Sequence, residues 1–574
     1  MNPNSEVGEH ARPGRRWVRL AASTLRATLA RTLETFQCVR VFREGAENCA
    51  RGRRAPRFIS EFGMKAVSSF FVCATLLVPG AGYSQLSAVD RAGQHELQGR
   101  FQEASQILKS ALGSTALAPT ERKQLEFELD RLERIKKDFP YKKEELFGAL
   151  KKAVKDITAA EFERWIAEGR FDAREIDGER RFMASSVSNL FFRYPELNRR
   201  RVPPKDTTKH DRAVWETCQV IKQAALAEKR PYVLPKRYHT TMTVTAKPAA
   251  APEGEIMRAW LPIPRSYPFQ MDFKLLKTSS SPKRVDAEQS AIRAVYLEQP
   301  ARKNEPTEFE IEYEYTMHGV WFDVKPDEVM PLTPSLSPSD GERVSAGRVR
   351  GGLSEAELKK FTSEAPHVVF TPEMRSLSEQ IAGGETNPAR KAKRFYDWIA
   401  ENIKYSYALE YSTIRNISDY CRAKGYGDCG QEALLFITLC RLNGIPARWQ
   451  SGWNTFPGAK TIHDWCEIYL EPYGWIPVDN YKGIWAMQYA FTLTPEQKRE
   501  VRDFYFGGLD YYRMAANSDH NRELTPPKNS FRSDDVDFQR GELEWGGQNI
   551  YFDQYSYKLE IKKLPARVIS RSPE

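Results

Sequence analysis

The strongest constraint on the fold is an apolar run that follows a cysteine placed between two glycines. The stretch Gly427-Asp428-Cys429-Gly430 leads into one predicted buried helix, whose apolar residues are Leu434, Leu435, Phe436, Ile437, Leu439, Cys440 and Leu442. Asn443-Gly444 and Pro446 end that helix. Cys429 therefore lies at a helix N-terminus, where free N–H groups and the positive end of the helix dipole favour a thiolate. A nucleophile, a small buried cysteine and half of a disulfide are all compatible with this stretch alone.

The composition indicates several folded domains and no nucleic-acid partner. With 574 residues, 41% of them hydrophobic and 12% aromatic, the chain can bury three or four cores. The net charge is +10, but residues 1–63 hold twelve arginines, no lysine and six glutamates, so +6 of that charge lies there. The remaining +4 is spread over the rest of the chain, which excludes the concentrated basic face that nucleic-acid binding requires.

Residues 64–84 have the layout of a secretory signal peptide. A basic start at Met64-Lys65 precedes an apolar run over 67–78 and then small residues. The run is too short to span a membrane comfortably. We therefore predict that translation starts at Met64, that 1–63 is an upstream extension, and that the mature protein is secreted or periplasmic without stable membrane insertion. The alternative is that 1–63 is a genuine cytosolic amphipathic arm.

Removal of this leader leaves five cysteines, namely Cys218, Cys421, Cys429, Cys440 and Cys466. Because five is an odd number, at least one thiol is free or pairs between chains.

The middle of the chain divides into a helical part and a strand-rich part. Residues 85–230 have helical patterns with charged faces, including a capping start at Thr158 and a predicted helix over 174–192 that contains an Asp177-Gly178 turn. Residues 231–325 alternate with period two in four segments, 239–245, 255–261, 292–297 and 308–315. Several such strands predict a β-sandwich, and one mixed sheet shared with the next domain is the alternative.

Three further segments follow along the chain. Residues 326–352 are rich in Pro, Ser, Gly and Arg, which predicts a disordered insertion or linker. Residues 353–520 form the predicted catalytic core, and 521–574 contribute C-terminal strands without a separate activity.

Two candidate strands after Cys429 carry a possible base and its orienting acid. His463 lies in the alternating segment 461–470, and Asp479 ends the segment 474–480. A three-residue turn between them would place Leu470 opposite Gly474. His463 and Asp479 would then be diagonal neighbours on one face, roughly 7–8 Å apart at Cα. A two-residue turn would instead place Asp479 on the opposite face.

The order Cys429, His463, Asp479 resembles the transglutaminase-like superfamily of cysteine enzymes. The motifs that carry the likeness are Gly427-Asp428-Cys429-Gly430, Gly444-Ile445-Pro446-Ala447-Arg448, His463-Asp464-Trp465, Trp475-Ile476-Pro477-Val478-Asp479 and, upstream, Arg258-Ala259-Trp260-Leu261-Pro262-Ile263-Pro264. The likeness covers about 236–325 and 353–520. It implies an α+β fold, with a papain-like transglutaminase core preceded by a β-sandwich and N-terminal helical modules. It also implies Cys429 as nucleophile, His463 as general base and acid, and Asp479 as orienting carboxylate.

The expected reaction is acyl transfer on protein or peptide amides, by hydrolysis or by glutamine–lysine cross-linking. The alternative is a non-catalytic binding or cell-surface assembly module on the same scaffold. The Cys429 backbone N–H is one expected oxyanion donor, and Tyr405 and Gln431 are candidates for a second. Trp453, Trp465 and Trp475 either line a cleft or belong to the core.

We expect no cofactor and no metal. Cys421, Cys429, His463 and Cys466 are suitable zinc ligands by type, but they lack the paired spacing of structural zinc sites.

Overall fold

The computed structural model describes residues 86–330 and 352–565. The chain separates into two units, Met1–Tyr83 and Ser84–Glu574, and every described residue belongs to the second. The predicted upstream extension, the predicted signal peptide and most of the predicted insertion over 326–352 lie outside the described residues. Within the described ranges, no helix is both long and apolar enough to cross a membrane.

The N-terminal part of the described chain is mainly helical. Its helices are α1 (Ala88–Leu97), α2 (Phe101–Leu112), α3 (Pro119–Asp138), α4 (Lys143–Ala153), α5 (Ala159–Ala167), α6 (Ser186–Arg193) and α7 (Thr208–Glu228). Thr158 caps α5 as predicted, because its side chain accepts a hydrogen bond from the Glu161 backbone N–H. We call the region 86–230 the helical module.

A short hairpin replaces part of the helix predicted over 174–192. Its strands, β1 (Ala173–Ile176) and β2 (Glu179–Phe182), pair antiparallel. Asp177 and Gly178 connect them with φ angles of 50° and 85°. Two left-handed residues make the tight turn that matches the twist of a hairpin, and Asp-Gly is one of its preferred sequences. The helical prediction was wrong here because the turn residues decide the local structure.

Six strands follow the helical module. They are β3 (Tyr232–Ala246), β4 (Ile256–Pro262), β5 (Gln270–Thr278), β6 (Arg284–Val285), β7 (Ala294–Pro300) and β8 (Thr307–Trp321). Four of them, β3, β4, β7 and β8, coincide with the segments predicted from period-two alternation. In β3 and β8, buried residues alternate with more exposed ones along most of each strand, as expected where one face is covered.

The next part of the chain mixes helices and strands. In chain order its elements are α8 (Glu355–Thr362), α9 (Pro372–Ala382), α10 (Pro388–Asn402), β9 (Lys404–Tyr405), α11 (Ile417–Lys424), β10 (Tyr426–Gly427), α12 (Cys429–Leu442), β11 (Ala447–Asn454), β12 (Thr461–Leu470), β13 (Gly474–Val478), α13 (Asn480–Gln488), α14 (Pro495–Phe504), β14 (Gly508–Leu509) and β15 (Arg513–Asn517). Three strands end the described chain, namely β16 (Glu542–Trp545), β17 (Gln548–Ile550) and β18 (Tyr555–Lys563).

The β-sandwich combines strands β3–β8 with strands from the C-terminal part of the described chain. One antiparallel sheet has the order β14-β8-β3-β18, with β5 also paired to β8, and the other has the order β17-β16-β4-β7-β6. Their inner faces share one hydrophobic core, to which β3 contributes Val244, β4 contributes Leu261 and β16 contributes Leu543. The C-terminal strands therefore complete the sandwich that begins at β3.

A four-stranded antiparallel sheet, β13-β12-β11-β15, lies between the sandwich and helix α12. On one face, Cys466 and Ile468 pack in the core that contains the apolar residues of α12. On the other face, Trp453 and Trp465 pack in the sandwich core. Every residue of α12 from Cys429 to Arg441 is buried, as expected for a helix that is apolar on all sides. Together, the helices and the antiparallel sheets confirm the predicted α+β class.

Candidate active site

Cys429 is the first residue of the buried helix α12. Asp428 caps the helix, because its carboxylate accepts the Gln431 backbone N–H at 3.1 Å, while the Gln431 side chain accepts the Asp428 N–H. This reciprocal arrangement is a capping box. Among the described residues, the backbone N–H groups of Cys429 and Gly430 have no hydrogen-bond partner. The helix therefore presents two free donors beside the thiol.

A cavity of about 190 Å³ opens onto Cys429. Its walls come from residues 405–411, from Asp428 and Cys429, from residues near the start of β12, and from a C-terminal segment that includes Asp537 and Gln539. Ser185 of the helical module also reaches it. His463 does not line this cavity, although its neighbours Ile462 and Asp464 do.

The structure brings His463 and Asp479 together. Leu470 pairs with Gly474 in the β12–β13 ladder, which is the register predicted from a three-residue turn. The imidazole Nε2 lies 2.8 Å from Asp479 Oδ2, and both side chains are buried. Asp479 also caps α13, since its Oδ1 accepts the Lys482 backbone N–H at 3.0 Å. This hydrogen bond at the start of α13 therefore fixes the orientation of the carboxylate that contacts the imidazole.

A buried guanidinium lies behind this pair. Arg513 on β15 donates from Nη2 to Asp510 Oδ2 at 2.9 Å, and the same Nη2 forms an ion pair with the Asp479 oxygen at 2.9 Å. Arg513, Asp479 and Asp510 all have fully buried side chains. Burial opposes ionisation of Asp479, but His463, Arg513 and the helix N–H groups together hold its pKa below the usual range. Asp479 is therefore a carboxylate.

The Cys429 thiol contacts an acid and not the imidazole. Its Sγ donates to Asp464 Oδ2 at 3.4 Å, and no hydrogen bond joins Cys429 to His463 in the described part of the chain. Tyr481 stands near both groups: its ring contacts the imidazole at 5.4 Å between centroids, and the charge of Cys429 helps to raise its pKa. The nucleophile and the predicted base are thus neighbours that are not hydrogen-bonded in this conformation.

Asp464 belongs to a buried carboxyl pair. It lines the same cavity as Asp537, whose charge acts on it, and Gln539 donates to its Oδ1 at 2.6 Å. Burial raises the pKa of both acids, and for Asp464 the nearby charges of Asp537 and Asp428 raise it further. Two neighbouring carboxyls repel each other when both are ionised, which favours a proton on one of them.

The protonation states differ from the sequence-based expectation. Burial, and then the negative charges of Asp464 and Asp428, raise the pKa of the Cys429 thiol well above its usual value. Burial also lowers the pKa of His463, and Arg513 adds to this against the opposing effect of Asp479. The predicted thiolate at the helix N-terminus is therefore not favoured in this conformation. The reason is that acidic side chains, including the cap itself, surround the sulfur.

The two side-chain candidates for an oxyanion donor have different positions. The Gln431 side-chain oxygen is engaged in the capping box, its nitrogen has no partner, and Gln431 does not line the cavity. Tyr405 does line the cavity, and its backbone pairs with Gly427, two residues before Cys429. Among the described residues its hydroxyl makes no hydrogen bond.

The tryptophans and the remaining cysteines belong to the interior. Trp453 and Trp465 are core residues, and Trp475 packs against Arg448 and Phe361, so none of the three lines the cavity. Cys466 Sγ donates to the Val478 carbonyl. All five described cysteines are free thiols. In the described ranges, no group of three or more His, Cys, Asp or Glu side chains is arranged to hold a metal ion.

Sequence reasoning missed the groups that surround the predicted site residues. Arg513 and Asp537 were not singled out, because they come from segments 34 and 58 residues after Asp479 and no motif links them to it. Asp464 had a local signal, since it stands beside His463. Its contact with Cys429 depends on how α12 docks on β12, which the sequence does not encode locally.

These features define a cysteine site on an α+β scaffold, and comparison with known proteins gives its class. Residues 375–480 match the model of the transglutaminase-like superfamily. This region of the chain is therefore a transglutaminase-like domain, as the sequence motifs predicted. The superfamily is in general one of cysteine-dependent enzymes, and it also includes non-catalytic members.

Three similar proteins illustrate this relationship. An uncharacterised protein of Haemophilus influenzae is 22% identical over 236 residues, which is 36% of this chain and 63% of that protein. A candidate cysteine protease from Cytophaga hutchinsonii is similar in structure, with a TM-score of 0.35, 15% identity, and coverage of 58% of this chain and 93% of that one. The periplasmic domain of TgpA from Pseudomonas aeruginosa has a TM-score of 0.22 and 12% identity, and the likeness covers 43% of this chain and 96% of that domain.

Proposed function

We propose that this protein is a cysteine-dependent acyl-transfer enzyme that acts on protein or peptide amides through Cys429, His463 and Asp479. The observation that carries the proposal is the 2.8 Å contact between His463 Nε2 and a buried Asp479, since the residue after His463, Asp464, contacts a cysteine that lines a cavity. A carboxylate on one imidazole nitrogen fixes the tautomer and leaves the other nitrogen to act as the base.

The free nitrogen of His463 is Nδ1, which has no hydrogen-bond partner among the described residues. In the proposed reaction the Cys429 thiol leaves Asp464 and gives its proton to Nδ1 as the sulfur attacks the amide carbonyl. The imidazolium then protonates the leaving nitrogen, the C–N bond breaks and a thioester remains on Cys429. Catalytic hydrogen bonds are often absent in ligand-free enzymes and form with the substrate.

The negative oxygen of the tetrahedral intermediate needs donors beside the sulfur. The unpaired N–H groups at the start of α12 supply backbone donors, and the free Tyr405 hydroxyl is the candidate side-chain donor. Water attacking the thioester completes hydrolysis, and a lysine amine completes a cross-link. We favour hydrolysis, because water is always present and no feature marks an amine-acceptor site.

The test incubates the purified full chain with casein, with and without a fluorescent primary amine. Cys429→Ala removes the proposed nucleophile. Cys440→Ala is the matched control, because Cys440 lies on the same helix, is fully buried and does not line the cavity beside Cys429. We expect fragments from the wild type and from Cys440→Ala, and none from Cys429→Ala. Labelled casein without fragments would indicate cross-linking instead.

Equal products from the wild type and Cys429→Ala would refute the proposed nucleophile. If neither protein acted on casein or on a panel of peptide amides, the non-catalytic binding or assembly module would be the better account of this scaffold.

We also propose that the protein is secreted or periplasmic and is synthesised with a signal peptide at 64–84. The support is the basic, apolar and small-residue order of that segment. Mass spectrometry of the mature N-terminus tests the proposal. A new N-terminus near Ser84 agrees with it, and a cytosolic product that retains residues 1–63 contradicts it.

A further inference from the structure

The group behind the predicted base is a buried charge network that extends beyond the matched region 375–480. Arg513 stands between two carboxylates, with Nη2 at 2.9 Å from Asp479 and 2.9 Å from Asp510, and Nε at 3.2 Å from Asp510. Tyr505 donates its hydroxyl to Asp510 at 2.9 Å. A second cation, Lys482, is buried with its Nζ over the rings of Trp485 and Tyr505.

The charges of this network balance without a charged histidine. Asp479 and Asp510 supply two negative charges, and Arg513 and Lys482 supply two positive ones. A proton on His463 would leave an unbalanced positive charge in a buried site. Such a charge is costly to bury, so the network favours the neutral imidazole.

The surroundings of the Cys429 sulfur disfavour a negative charge on it. Its thiol donates to Asp464, which is paired with Asp537, and Asp428 caps the same helix end. A thiolate in this place would be repelled by acids, while an imidazolium next to Asp479 would be opposed by Arg513. A resting thiolate–imidazolium pair is therefore disfavoured at both of its ends.

We propose that Arg513 is a positioning residue that keeps His463 uncharged, so that Cys429 is stored as a neutral thiol and loses its proton to His463 only when substrate is bound. The inference rests on the proposed function for the identity of base and nucleophile. It goes further in assigning a role to Arg513 and Asp510 and in stating the resting form of the pair.

The titratable groups around His463 come from every element packed against it. They are Cys429 and Glu432 of α12, Asp464 of β12, Asp479, Tyr481 and Lys482 at the start of α13, and Tyr505, Asp510 and Arg513 after it. Burial raises the pKa of Glu432 and of Asp464, which disfavours a negative charge on either of them beside His463. The charged groups in this set are thus Asp479, Asp510, Arg513 and Lys482, which are the four counted in the charge balance.

A charge series tests this account in the full chain. Arg513→Met leaves one excess negative charge, so the pKa of His463 should rise by about one unit or more. Asp510→Asn leaves one excess positive charge, so that pKa should fall. The double variant Arg513→Met with Asp510→Asn restores the balance and should return the pKa close to the wild-type value. The readout is an NMR titration of the His463 ring, assigned with His463→Gln.

Alkylation of Cys429 by chloroacetamide is the second readout. In the wild type the rate should rise steadily between pH 5 and 8 without a plateau, because the thiol titrates above that range. Arg513→Met should alkylate about tenfold faster at pH 6, since an imidazolium stabilises the thiolate, and yet turn over amide substrate more slowly. A purely structural loosening would expose the thiol and accelerate alkylation at every pH, whereas the proposed gain is confined to pH values below the raised pKa of His463.

Arg448→Met is the control, because Arg448 is a partly buried guanidinium paired with Glu467 on the same sheet. It should leave the His463 titration unchanged. If Arg513→Met does not fold, Asp510→Asn decides the question, because the proposal requires the pKa of His463 in that variant to fall below the wild-type value.

Two results would overturn the inference. One is a pKa of His463 that does not follow the order Arg513→Met, wild type, Asp510→Asn from highest to lowest. The other is a wild-type thiolate plateau below pH 7 that disappears in His463→Ala, which would show a resting ion pair. The titration does not depend on turnover. The pKa of His463 could follow the expected order in a protein that shows no Cys429-dependent activity. That result would refute the proposed function and would still support the charge balance.

Discussion

At the scale of single residues, the site depends on how closely side chains approach the start of α12. Gly430 is the clearest case. A Cβ there would collide with the Tyr411 hydroxyl and would lie 2.8 Å from both Asp464 Oδ2 and the Trp449 ring. Tyr411 in turn donates to the capping Asp428 at 2.6 Å. The glycine after the cysteine thus allows three neighbours of the thiol to pack against the helix.

Gly430→Ala should therefore lower the free energy of unfolding by about 2–4 kcal/mol, because none of the three neighbours is free to move away. It should also slow alkylation of Cys429, since displaced Tyr411 and Asp464 would narrow the cavity. Chemical denaturation and alkylation rates measure the two effects.

Gly148→Ala is the control for this substitution. Gly148 lies in helix α4, where a Cβ would meet nothing within 4 Å. Alanine at that position should be neutral or stabilise the protein by up to about 1 kcal/mol. A Gly430→Ala protein as stable as the Gly148→Ala protein would show that the helix N-terminus is more loosely packed than described.

At the scale of elements, sequence periodicity was most informative where an element is covered on a single face. The strands β3, β4, β7 and β8 were predicted because apolar residues alternate along them. The β5 strand was missed, since only its first residue is buried and its remaining positions are exposed or partly exposed. The hairpin at Asp177-Gly178 was missed because helical spacing was given more weight than turn chemistry.

The candidate site shows the same limit. Cys429, His463 and Asp479 could be proposed from local signals, namely a helix start and two strands joined by a three-residue turn. Arg513, Asp464 and Asp537 could not be placed, because their contacts depend on how α12, β12, β15 and the C-terminal segment dock. Those contacts join residues that are distant in sequence, and the spacing of apolar residues along a helix or strand does not predict them.

One element-scale contact predicts a pH effect on stability. Asp138 ends α3 and accepts the Glu410 backbone N–H at 3.1 Å, which ties the helical module to the loop beside the cavity. Burial, and then the charge of Glu410, raise the pKa of Asp138 to about 7 from 3.8. The folded state therefore holds a proton that the unfolded state releases above about pH 4. The penalty grows as the pH rises from about 4 to about 7, and it is constant above that.

Asp138→Asn keeps the acceptor oxygen and removes this penalty. The variant should be more stable than the wild type by about 1–3 kcal/mol at pH 8 and equal to it near pH 4. Urea denaturation at both pH values measures the difference. Equal stability at pH 8, or a gain confined to pH 4, would show that Asp138 is ionised in the folded protein without cost.

At the scale of the whole molecule, the helical module supports the wall of the cavity. Asn189 accepts the Tyr407 N–H at 2.8 Å and donates to the Tyr407 carbonyl at 3.1 Å. Its side-chain amide thus makes the pair of backbone hydrogen bonds that a neighbouring strand would make with the loop at Tyr407. Arg193 donates to the Ser406 hydroxyl. Arg134 donates to the Ser412 hydroxyl at 2.8 Å and to two backbone carbonyls of the C-terminal segment.

The cavity is therefore a product of three parts of the chain. The core supplies Cys429 and the strand that carries Asp464, the helical module holds residues 405–413, and the C-terminal segment adds Asp537 and Gln539. The region 375–480 that matches the superfamily contains all three proposed catalytic residues, and it does not contain the whole wall around them.

The most direct test of the central claim is covalent capture of the nucleophile in the full chain. A peptide amide mimic that carries a thiol-reactive group is incubated with the protein, and mass spectrometry locates the adduct. The account predicts one adduct, on Cys429, absent in Cys429→Ala and formed at least about tenfold more slowly in His463→Ala. Equal labelling of the wild type and Cys429→Ala would contradict it.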